Sequence, residues 1–154
     1  DGQSTIEGAL WNFNAYIEVD SATETLADYD FTLFYDFNPA FDNGLGDLGT
    51  IDVNAGLAAN GFDPSTMNVA ESSQNLNFGF LATSVPGILN APAGSFDPSE
   101  LGEYNFGISV TQDGFGVENV RMDVQVVPLP AAAWLFGTAL FGLAGVARRK
   151  KAKS

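Results

Sequence analysis

The 154-residue sequence contains no cysteine, no histidine, and no lysine before Lys150. Each absence closes off a class of chemistry. Without Cys there is no disulfide, no thiolate nucleophile and no Cys-ligated metal. Without His the commonest general base and the usual zinc ligand are missing, and with them every Ser–His or Cys–His pair. No Gly-rich phosphate loop ends on a lysine, and no G-x-S-x-G elbow occurs. Positive charge is also scarce. Residues 1–127 hold all 19 acidic residues and only Arg121, for a net −18. A polyanion needs a positive patch, so nucleic acid is excluded as a partner. The chain therefore reads as non-enzymatic. Carboxylate-pair hydrolysis needs only two acids in one cleft, but so many acids are read first as a solvated surface suited to a salty medium.

The remaining basic residues, Arg148, Arg149, Lys150, Lys151 and Lys153, all fall within the last seven positions and give that tail +5. Between the two charged regions lies an uncharged stretch. From Ala131 it can run as a helix over residues 131–147, about 26 Å long at 1.5 Å per residue, against a hydrocarbon core of about 30 Å. Phe, Leu, Ala and Gly occur all round that helix, with no polar face. This favours a membrane span over a buried helix with a basic tail. The basic cluster marks the cytoplasmic end, which places residues 1–127 outside. A chain that begins at Asp1 fits prior removal of a signal peptide.

Val127, Pro128, Leu129, Pro130 and Ala131, followed by the apolar stretch and the basic cluster, resemble a bacterial C-terminal sorting signal of the PEP-CTERM type, in its VPLPA-CTERM variant. Leu129 stands where the parent motif has Glu. The resemblance covers about the last 28 residues. It implies an exosortase-type membrane peptidase as partner, cleavage near the motif, and transfer from the inner membrane to the cell surface. The organisation expected is thus a domain over 1–127, a proline motif over 128–130, a transmembrane helix over 131–147 and a cytoplasmic tail over 148–154.

Within the outer domain, apolar and polar residues alternate over 11–19, 31–37, 76–82, 103–111 and 119–126, the signature of antiparallel strands with one wet face. Turn pairs punctuate them, and Asp113-Gly114 predicts a tight hairpin joining the last two. Six to nine short strands are expected in an all-β fold, an antiparallel β-sandwich of jelly-roll or immunoglobulin-like type, with a closed barrel as the alternative. Phe34, set opposite Phe31, Leu33 and Tyr35, points to a central strand buried on both faces. Tyr16 and Phe34 are the aromatics that would stack on a sugar if exposed.

Calcium is the one cofactor with a candidate site. Asp42, Asp47 and Asp52 cluster among glycines, as hard oxygen ligands on a loop would, although the EF-hand pattern fails at Leu57 and Asp63. Ala133, Gly137, Gly142 and Gly145 would let a second helix approach closely. Three readings of function follow. The first is a structural component of extracellular matrix or biofilm. The second is a surface module binding polysaccharide or calcium. The third is a self-associating, uncleaved subunit of a membrane complex or surface filament.

Overall fold

The computed structural model describes residues 12–40, 47–76, 79–97 and 100–128. The predicted span over 131–147 and the tail over 148–154 lie outside these residues. Seven strands are present among them: β1 (Phe13–Glu18), β2 (Asp30–Tyr35), β3 (Gly49–Asp52), β4 (Val69–Gln74), β5 (Leu89–Asn90), β6 (Gly102–Gln112) and β7 (Phe115–Val126). One short helix, α1 (Val53–Ala59), follows β3 directly. The fold is mostly β, and every pairing is antiparallel.

Strands β1 and β4 form a two-stranded sheet, and the other five form a second sheet in the order β5-β3-β2-β6-β7. The alternation in each sequence decides which side chains go inward. Phe31, Leu33 and Tyr35 of β2 are buried, as are Tyr104 and Phe106 of β6. Phe13 from the small sheet joins Leu33, Tyr35, Tyr104 and Phe106 in one buried cluster. Its ring centroid lies 4.7 Å from that of Phe106. Ile17 and Ala70, also from the small sheet, join Leu26 and Phe31 in a second cluster. As the sequence indicates, β2 is central, with Phe34 half-buried on the face opposite Leu33.

The β6–β7 hairpin closes through Asp113 and Gly114, at φ 51° and φ 79°. Positive φ at both central residues is what a tight hairpin matching strand twist demands, and Asp-Gly tolerates it. The register runs from Gly102 opposite Val126 to Gln112 opposite Phe115, with a bulge beside Val110 and Thr111.

One predicted strand is not a strand. Leu76 sits in a turn, and Gly79–Ala82 is a 3-10 helix. Leu76 and Leu81 are both buried. Five positions apart, they would face opposite sides of a strand, so a turn that brings both into the core wins. Strands β3, β4 and β5 and helix α1 carry no bulky alternation of their own.

Candidate functional site

Two of the three predicted calcium ligands, Asp47 and Asp52, fall within the described residues. Asp42 lies outside the described residues, and Asp47 is exposed. Asp52 ends β3 and caps α1, its Oδ1 accepting a 2.9 Å hydrogen bond from the Ala55 N–H. Asp63 likewise caps the 3-10 helix Pro64–Thr66, accepting from the Ser65 N–H and hydroxyl, which hold its carboxyl below the usual range. Among the described residues no group of three or more acids is placed to hold a metal ion.

Of the sorting motif, Val127 and Pro128 follow the end of β7 and are exposed. Leu129, Pro130 and Ala131 lie outside the described residues, as do Ala133, Gly137, Gly142, Gly145 and the basic cluster from Arg148 to Lys153. No helix among the described residues is long and apolar enough to cross a membrane.

Two of the concavities beside the large sheet are roomy among the described residues. The larger, about 510 Å³, lies between the two sheets and α1. Ile17, Leu33, Ile51, Leu57 and Ile88 line it, and Glu71 is its one titratable side chain. It is an apolar cleft, with Phe62 and Phe80 exposed at its rim. Such a lining suits an aliphatic or aromatic group and provides no nucleophile–base pair.

The second, about 330 Å³, lies on the outer face of the large sheet. The hairpin register builds it. Asn105 opposes Asp123, Gly107 opposes Arg121 and Ser109 opposes Asn119. On its other side Gly107 opposes Phe34 of β2. Residues directly opposed share a face, so a ring, a guanidinium, two amides, a hydroxyl and a carboxylate surround a glycine that adds no side chain. Glu103 also lines the groove and accepts a 3.1 Å hydrogen bond from Gln125. Asn105 Nδ2 is buried and has no hydrogen-bond partner. A buried unpaired donor costs about 1–3 kcal/mol, and Asn105 is part of the groove lining.

Tyr16, the other aromatic singled out in the sequence, is 58% exposed on the small sheet. Its hydroxyl donates a 2.8 Å hydrogen bond to Glu18, which raises its pKa. It stands apart from Phe34, so the two aromatics do not form one platform. The alternation of Asn119, Arg121, Asp123 and Gln125 reads in the sequence as a wet face. What it cannot show alone is that Asn105 and Ser109 stand opposite. Counting back from the Asp113-Gly114 turn brings them close. Searches against protein-family models, curated proteins and solved structures find no match to the chain.

Proposed function

We propose that this chain is a non-enzymatic bacterial surface protein, delivered by its C-terminal signal and acting as a structural component of extracellular matrix. The carrying observation is the position of the signal relative to the fold. Strand β7 ends at Val126, and only Val127 and Pro128 separate it from Leu129. The folded domain and the signal-like segment thus abut, as expected of a passenger joined to a processing motif. Pro128 and Pro130 would keep the intervening backbone extended for a peptidase. On this reading the two sheets are the layers of a β-sandwich, held outside the inner membrane by residues 131–147 until cleavage. Deleting residues 128–154 is expected to abolish surface retention. Unchanged retention in fractionated cells would refute the assignment.

A second reading is favoured by the outer-face groove: a binding module for neutral polysaccharide. Arg121 and Asn105 offer donors, Asp123 and Glu103 offer acceptors, and Phe34 offers a ring face. Two carboxylates and a strongly acidic domain disfavour an anionic glycan. On a glycan array, wild-type protein is expected to bind with or without Ca²⁺, and Asn105→Ala and Arg121→Ala to lose that signal. Equal binding by the variants would sink the reading. Cleavage of a bound glycan would turn it into a hydrolase.

A further inference from the structure

The outer edge of β7 has no strand partner among the described residues: β6 occupies one side only. The strand is also the longest, at 12 residues. Its exposed side chains include Phe115 at 77%, Val117, Val120 and Met122. Val120 and Met122 oppose Ile108 and Phe106, so they lie on the core-side face, where they line a small concavity with Phe13 and Ala15 of β1 yet stay 58% and 45% exposed. Long apolar edges of this kind pair with another chain unless charge, proline or a bulge prevents it. Here the bulge lies at the turn end, beside Val110 and Thr111, and the middle of the strand is regular.

The charges on β7 decide which chain fits. Two copies meeting edge to edge about a two-fold axis must pair antiparallel, with same-facing residues opposed. Residues of odd number on β7 then meet residues of odd number. The odd-numbered positions of β7 carry one cation, Arg121, and one carboxylate, Asp123. A single register therefore sets Arg121 against a carboxylate: the one with Met122 on the axis. It forms two Arg121–Asp123 pairs at once. It also opposes Asn119 to Gln125 on the same face, and Val120 to Val124 on the other. Arg121 makes no ion pair within the described residues that would compete. We propose that this chain associates with a second copy of itself through β7, antiparallel and centred on Met122, joining two five-stranded sheets into one. The pairing needs no metal and does not depend on whether the C-terminal segment is cleaved.

The natural absence of cysteine makes the register directly measurable. Opposed residues in an antiparallel pair have Cα atoms about 4.5–5.5 Å apart, within disulfide reach. Val120 in the two copies would be offset by four residues, about 13 Å, which is too far. The full chain carrying Met122→Cys, in detergent micelles under mild oxidation, is expected to form a covalent dimer. Val120→Cys alone is expected to form no covalent dimer, yet to cross-link when mixed with Val124→Cys. In the Met122→Cys background, Arg121→Asp is expected to reduce cross-linking about tenfold and the double swap with Asp123→Arg to restore it. Met122→Cys that forms no covalent dimer while circular dichroism shows an intact fold overturns the proposal. So does equal cross-linking by Val120→Cys alone, or a double swap that fails to rescue. Association through residues 131–147 alone would give no such register dependence.

Discussion

The hydroxyl of Tyr35 donates a 2.6 Å hydrogen bond to the carbonyl of Leu81, 46 positions further on. Both residues are fully buried. The bond ties central strand β2 to the 3-10 helix that replaces the predicted strand over 76–82. Tyr35→Phe keeps the ring but strands a buried carbonyl. A loss of about 1–3 kcal/mol is expected in urea unfolding, with the strand content by circular dichroism unchanged.

The same hydroxyl makes stability sensitive to alkali. Burial raises the Tyr35 pKa, and burial with the nearby Glu100 and Asp97 pushes Tyr104 up to about 12. A raised folded-state pKa means that the neutral phenol is preferred in the fold. Its contribution is fully present below the unfolded value of about 10 and is lost as pH rises through the folded values. Melting temperature is thus expected to fall from about pH 10 upward. Phenolate absorbance at 295 nm from these two residues should rise together with unfolding. Early ionisation of all four tyrosines in folded protein would contradict this.

Gly49 and Gly102 are expected to resist substitution for steric reasons. A Cβ on Gly49 would stand 2.5 Å from Tyr35 Cζ and 2.6 Å from Pro92 Cδ. One on Gly102, at φ 152°, would stand 2.2 Å from the Pro39 carbonyl oxygen. Overpacking costs about 1–3 kcal/mol, so Gly49→Ala and Gly102→Ala should each lower the melting temperature. Gly56→Ala, in open space on α1, should raise it or leave it unchanged.

Asp52→Ala tests the calcium reading against the cap. Losing the hydrogen bond to Ala55 is expected to cost about 1 kcal/mol, equally in Ca²⁺ and in EDTA. A loss seen only in Ca²⁺ would assign the carboxylate to a metal instead.

The residues divide cleanly into those whose own chemistry announces their structure and those whose partners impose it. Phe31, Leu33 and Tyr35, or Val120, Met122 and Val124, alternate with period two, and their strands lie within a few residues of the expected bounds. Asp113-Gly114 encodes its turn through backbone conformation alone. Strand β4, by contrast, reads Val-Ala-Glu-Ser-Ser-Gln. Small polar residues of this kind become a strand because β1 lies alongside, with Ala70 opposite Ile17. Helix α1 is too short for a periodicity, and its start is fixed by Asp52. Leu76, Phe78 and Phe80 alternate as a strand would, but burial of Leu76 together with Leu81 needs a turn. The outer-face groove was half legible. Its β7 side alternates openly, whereas the unsatisfied amide of Asn105 exists only once β6 and β7 are in register.

The order of pairing has a consequence for how the chain reaches its folded state. Strand β1 comes early in the chain, yet Phe13 packs on Phe106 of β6, and β2 also waits for β6. The most local large element is the β6–β7 hairpin, which comes last. Contacts so distant in sequence slow folding, because loop closure precedes any gain from packing. Formed in chain order, β1 can pair with β4 and β2 with β3 before β6 is available, but the larger core cluster stays without Tyr104 and Phe106, and β2 without its second neighbour, until the final hairpin is made.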